Sequence, residues 1–220
     1  MGNQSIDKVT INALRVLQVS GLDHIDVVKG QGTPIMGRPA ACPEIHGETG
    51  LDSKNGKFPE LTKKPIEGKA VVHMAKVITE HPSKVTLVAT GCLTNVALLI
   101  TLFPEVKDNI SRIVMLGGAM GIGNMNPVAE WNMMLDPEST KIVFDSGMTL
   151  VQIPLEVTHK ALVTRQIFAK IAQMNTPFSE LMIELLRFFK DTYKRVFFFE
   201  DPPLHDPLAI AFVIDPDMFK

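Results

Sequence analysis

The sequence predicts an α/β fold: an open, mostly parallel sheet with helices on both faces and a helical C-terminal part. Three observations predict it. Residues 85–90 (VTLVAT) and 113–116 (IVML) are short, nearly continuous apolar runs, the composition of strands covered on both faces. Segments of helical periodicity alternate with them, the chain order of a sheet built from parallel strand–helix–strand units. Each predicted strand is followed by glycine-rich or polar residues, so these residues gather at the carboxyl end of the sheet, where open α/β sheets bind ligands.

In chain order, Ser5 can cap a helix running to about Ser20, with Ile6, Val9, Ala13, Leu14 and Leu17 on one face. Residues 26–28 (DVV) read as a short strand. Residues 30–69, crowded with Gly, Pro and Lys, read as a long loop. A helix is predicted at 69–81, the strand VTLVAT at 85–90, a helix at 94–103, a strand at 113–116 and a helix at 137–146. LVQIPLEV (150–157) reads as a strand that Pro154 bends or confines to an edge. Beyond Thr164 the periodicity is helical, most plainly at 178–193, and HDPLAIA (205–211) opens a last helix. The 220 residues are expected to form a single domain.

Composition excludes several classes. The net charge of -2 comes from acids and bases mixed along the chain, without the basic face that nucleic acid requires. The longest apolar runs are too short to span a bilayer. Cys42 and Cys92 have no metal-binding spacing and, as two unpaired thiols, suit a reducing compartment, so a cytoplasmic protein is expected. The glycines of GGAMGIGN do not keep the G-x-G-x-x-G spacing of a dinucleotide site, which excludes a nicotinamide-dependent oxidoreductase.

Taken singly, the polar residues at the sheet's carboxyl end have ordinary explanations. Asp206 before Pro207 reads as a helix cap. Glu130 and Asn132 read as solvent-facing turn residues, Asn124 as a left-handed turn residue, and His46 as a loop histidine.

Together they carry a resemblance. Gly2-Asn3 before a helix, HGETGL (46–51), ATGCLTNVALL (89–99), GGAMGIGNMNPVAEWNMMLDPEST (117–140), PLEVTH (154–159) and HDPLAIA occur in the order found in the inosine–uridine preferring nucleoside hydrolases. The resemblance implies a Rossmann-like hydrolase that cleaves the N-glycosidic bond of a ribonucleoside such as inosine or uridine, releasing ribose and base. It implies a calcium ion, with Asp206 and the Thr90 carbonyl among its ligands. Asn3, Asn124, Glu130 and Asn132 would bind ribose hydroxyls, and Trp131 and Tyr193 would contact sugar and base. His205 would donate a proton to the leaving base, with His46 near the base pocket. A homo-oligomer is implied, and neither nucleic acid nor membrane is a partner.

The family's aspartate cluster, D-x-D-x-G-x-D-D, does not occur before Asn3, and Asp215-Pro216-Asp217 lies at the wrong end of the chain. The sequence also stops just past the HDPLAIA helix. The expectation is therefore a domain truncated at both ends, with an incomplete calcium site and impaired turnover. The alternative is a non-catalytic remnant that binds ribose or nucleoside weakly, or modulates full-length partners.

Overall fold

Three parallel strands, β1 (Val85–Ala89), β2 (Ile110–Leu116) and β3 (Leu150–Ile153), lie in the order β1-β2-β3 in the computed structural model, which describes residues 2–53 and 58–220. β2 is central, and its side chains divide between two cores. Ile113 and Met115 join a core with Leu93, Ala97, Leu99 and Val143, while Val114 and Leu116 join another with Ile153 and Ala209. The first core packs under α3 (Ala70–Glu80), α4 (Thr94–Leu102) and α6 (Pro137–Phe144); α10 (Pro207–Ile214) covers the opposite face. This is the predicted parallel sheet with helices on both faces. Residues 85–88 of β1 are only half-buried, in contrast to the buried strand the sequence predicts, because β2 is the one strand paired with β1 among the described residues.

The helix ends follow local chemistry. α1 (Ile6–Val19) starts at Ser5, whose hydroxyl accepts the Lys8 N–H, and the chain turns away at Gly21 with φ of 69°. α9 (Pro177–Phe197) begins with a capping box between Thr176 and Ser179 and Pro at its first position.

Four elements differ from expectation. Residues 26–28 form no strand; a single parallel bridge joins Val28 to Ile66, with the Ile66 N–H on the Val27 carbonyl at 2.8 Å. β2 begins at Ile110, three residues before the apolar run, because a parallel partner and not hydrophobicity alone sets its length. The loop at 30–69 contains the short helix α2 (Pro43–His46), and its residues 54–57 lie outside those described. LVQIPLEV is not one strand: β3 stops at Ile153, Pro154 turns the chain, and α7 (Leu155–Thr158) follows. Proline cannot donate to the ladder, and its φ of -84° suits entry to a helix. The remaining helices, α5 (Trp131–Leu135) and α8 (Arg165–Gln173), flank the site and α9 respectively.

Asp136 joins the long loop to α4 and α6. It is 0% exposed; its Oδ2 accepts the Ile35 N–H at 3.1 Å and the Thr94 hydroxyl, and its Oδ1 accepts the Ser139 N–H at 3.1 Å. An amide would have to turn its NH2 group toward one set of these donors. Asp136→Asn is expected to cost about 2–3 kcal/mol, a fall of roughly 5–10 °C in thermal midpoint. Differential scanning calorimetry checks this, and an unchanged midpoint would contradict the anchoring role.

Candidate active site

The segments that follow the three strands line one cavity of about 280 Å3, closed on its far side by α9 and the turn before α10. Thr90 reaches it from the end of β1. Asn124, Glu130, Trp131 and Asn132 reach it from the connection after β2, and Thr158 from α7 after β3. Asn3 and His46 come from the chain before the sheet, Tyr193 from α9, and His205 and Asp206 from the entry to α10. All ten residues that the sequence singled out thus line one cavity.

The wall after β2 is built by side chains that spend part of their hydrogen bonding on the backbone. Glu130 is 4% exposed, not solvent-facing, and its Oε2 accepts the Gly118 N–H at 2.8 Å and the Met133 N–H at 3.2 Å. Its Oε1 has no hydrogen bond among the described residues. Asn124 accepts the Trp131 N–H on Oδ1 at 2.9 Å, which leaves its NH2 group available. Asn132, 5% exposed and likewise not a solvent-facing turn residue, donates to the Leu116 carbonyl at 3.3 Å. Trp131 is 8% exposed, and its Nε1–H is buried without a partner among the described residues.

A second group of lining residues is aromatic, and Trp131 packs against it. Phe189, Tyr193 and Phe197 recur every four residues along α9, and His46 stacks on Phe189 with ring centroids 6.0 Å apart. His46 is held by α1: Gln4 donates to the Gly47 carbonyl at 2.8 Å, Asn12 to the Thr49 carbonyl at 2.8 Å, and Lys8 to the Glu48 carbonyl. The Cys42 N–H donates to the Asn3 carbonyl at 2.9 Å, tying Asn3 to the same loop.

His205 sits between two hydroxyls. Its Nδ1 lies 2.8 Å from Thr158 Oγ1 and its Nε2 2.7 Å from the Tyr193 hydroxyl. Thr158 spends its own proton on the Leu155 carbonyl at 3.2 Å, so it accepts from Nδ1–H. Nε2 is then the acceptor for the Tyr193 O–H. Burial, with His159 and His46 adding like charge, lowers His205 to about 4 and keeps it neutral. Burial raises the Tyr193 hydroxyl above its ordinary value, with Asp206 contributing.

Asp206 does not cap α10. Its own backbone is helical, and its side chain makes no cap hydrogen bond. It keeps accessible surface where it lines the cavity, yet the surrounding protein desolvates its carboxyl and, with the charge of Glu130, raises it to about 6. Both cysteines are buried and free, and burial pushes each thiol up to about 12, so neither is a nucleophile at neutral pH.

His46 gives a stability prediction. Burial lowers it from 6.5 to about 4, so the unfolded chain binds more protons between those values. Its stabilising contribution is complete above pH 6.5 and is lost as pH falls toward 4. His205 acts in the same direction, and Asp206, raised from 3.8, opposes both below about pH 6. Thermal melts of the wild type and His46→Phe between pH 7.5 and 4.5 isolate the His46 share. The two midpoints should converge as pH falls, and parallel curves would refute the assignment.

Two groups of lining residues were given no role from the sequence. Thr158 was visible only as part of PLEVTH. The aromatic stripe of α9 was legible as a four-residue spacing, but which neighbour it faced was not.

Comparison with known proteins gives a consistent result. A family model described as inosine-uridine preferring nucleoside hydrolase matches residues 1–220. A probable ribonucleoside hydrolase of Dictyostelium discoideum is 43% identical, the match covering 100% of this chain and 68% of that protein. The pyrimidine-specific ribonucleoside hydrolase RihA of Salmonella newport (strain SL254) is 42% identical over 99% of this chain and 70% of its own length. Among solved structures, the purine-preferring ribonucleoside hydrolase from Gardnerella vaginalis superposes with a TM-score of 0.91 at 29% identity, over 98% of this chain and 70% of that one.

Proposed function

Because the chain belongs to the inosine-uridine preferring nucleoside hydrolase family, we propose that residues 1–220 act as one domain whose cavity binds a ribonucleoside and hydrolyses its N-glycosidic bond. One observation carries the assignment of the cavity: its lining holds both a polar group and an aromatic group, as the two halves of a nucleoside require. The wall of Asn124, Glu130 and Asn132 suits the ribose, since amides and carboxylates pair with vicinal hydroxyls. The free Glu130 Oε1 and Asn124 NH2 group are the atoms to do so. As the bond to the base breaks, positive charge grows on the sugar, and a buried carboxylate stabilises it more than it stabilises the ground state. Asn3 joins the ribose-binding group by family resemblance, and the Trp131 Nε1–H, without a partner among the described residues, is a donor for a substrate oxygen.

The aromatic wall suits the base, which stacks among Phe189, Tyr193 and His46. A base leaves readily only if it gains a proton, and the Tyr193–His205 pair is the proton-carrying group on that wall. In the resting state Thr158 keeps the His205 proton on Nδ1, so the hydroxyl of Tyr193 is the proton nearest Nε2.

The calcium implied by the sequence resemblance has two of its expected ligands at the cavity, Asp206 and Thr90. Calcium takes six to eight oxygens, and among the described residues no group of three or more His, Cys, Asp or Glu could hold a metal ion. These residues do not by themselves complete such a site. Two buried, unpaired thiols support a reducing compartment such as the cytoplasm, and among the described residues no helix is long and apolar enough to cross a membrane. A homo-oligomer remains the expected assembly by family resemblance. The relatives compared above are all named hydrolases, and none favours a non-catalytic reading.

The test is ribose release from uridine and from inosine by the native full-length protein, with and without added calcium. Turnover of both is expected, with uridine faster, given the 42% identity to a pyrimidine-specific enzyme. Nucleoside binding without ribose release would overturn the proposal.

A further inference from the structure

We propose that Glu156 is a positioning residue for the ribose-binding wall, acting through the loop at 117–124; the inference rests on the hydrolase reading above. Glu156 stands in the first turn of α7, and its Oε1 accepts the N–H groups of Met120 at 2.8 Å and Gly121 at 2.9 Å. The hydrogen bond from Gly121 foremost holds its carboxyl below the usual range. Its second oxygen is buried without a hydrogen-bond partner among the described residues. A carboxylate oxygen kept out of water carries a cost, and here the charge strengthens the bonds to the loop.

The loop is held at its start, where the Gly117 N–H donates to the Ile153 carbonyl at 3.1 Å, the Gly117 carbonyl accepts from Gln152 at 3.0 Å and the Gly118 carbonyl accepts the Leu155 N–H at 3.0 Å, but its middle has little else to set its path. It starts at Gly117 and Gly118, with φ of 144° and 74°, and ends at Asn124. Glu130 grips it at Gly118. Beyond that point Met120 is 91% exposed, and a Cβ added at Gly121 would meet nothing within 4 Å, so packing does not define the middle. Glu156 does, and it sets how the chain enters the Asn124 turn, whose own shape the Ala129 carbonyl and the Trp131 N–H hold. The same short helix carries Thr158, which orients His205. Glu156 therefore references the sugar side of the cavity to the element that sets its leaving-group side.

Trp131, the one tryptophan of the sequence, lines the cavity, so its fluorescence reports binding without turnover. The experiment titrates D-ribose and, separately, uracil into the native full-length protein and into Glu156→Ala and Glu156→Gln. Ribose affinity should fall about 10-fold or more in Glu156→Ala and partly recover in Glu156→Gln, whose carbonyl can still accept, while uracil affinity stays within about twofold. Should Glu156→Ala fail to fold, a ribose-selective loss in Glu156→Gln carries the same meaning. Unchanged ribose affinity in a folded variant would overturn the inference. Equal loss of ribose and uracil would also overturn it, since that marks collapse of the whole cavity. A wild type that binds ribose in a Glu156-dependent way but releases none from nucleosides would end the hydrolase reading and leave this inference standing.

Discussion

Tyr193→Phe and His205→Ala are each expected to lower kcat for uridine by about 10²- to 10³-fold, with the double variant little worse than either single one. The reason is geometric. The two groups share one hydrogen bond of 2.7 Å, and Thr158 fixes which nitrogen of His205 faces it. Phenylalanine removes the hydroxyl proton that would pass to the departing base; alanine removes the Nε2 acceptor that holds this hydroxyl in place before the transfer. Once either is gone the pair no longer works as a unit, so the second change has little left to remove. A riboside that departs as a stable phenolate needs no proton and should lose less than about tenfold in both variants. Steady-state kinetics on the two substrates decide the matter. Multiplicative losses in the double variant, or equal losses on both substrates, would show that the pair does not act on the leaving group.

Gly123→Ala is expected to lower kcat/KM by about 100-fold or more while the protein stays folded. A Cβ at this position would lie 2.0 Å from the Asn126 carbonyl oxygen and 2.5 Å from the Ala129 nitrogen. Those are backbone atoms, so no rotamer relieves the clash. The turn is drawn tight because the N–H groups of Asn124 and Met125 both donate to the Ala129 carbonyl, at 3.1 and 3.2 Å. Opening it moves Asn124 away from the Trp131 N–H and shifts Glu130, the residue before Trp131. The core under β2 does not involve this turn, so circular dichroism and the thermal midpoint should change little. Gly121→Ala is the control, since its Cβ would meet nothing within 4 Å; it should keep activity near that of the wild type. A Gly123→Ala protein with normal kcat/KM would mean that the turn does not position the site.

Much of the fold was legible because local chemistry decided it. Ser5 and Thr176 start helices where their hydroxyls can cap them. VTLVAT forms a strand within one residue of its predicted end. The misreadings share a cause, since residues 26–28 and 154–157 have strand composition but strands exist only where a neighbour pairs with them. At 26–28 one bridge forms, and after Pro154 the ladder ends and a helical turn takes over.

The sequence by itself determined the family, because the strings around Asn124, Glu130, Asn132 and His205 are specific and in order, and the residues it picked out line one cavity. It also determined that polar residues would gather at the carboxyl end of the sheet. Only the tertiary structure decided what each side chain has left to offer a substrate. Glu130 and Asn132 are buried, Asp206 makes no cap, and Glu156 spends its charge on a loop far from it in sequence. Hydrogen-bond partners and burial depend on which distant segments meet, and no spacing along the chain encodes the orientation at which they do so.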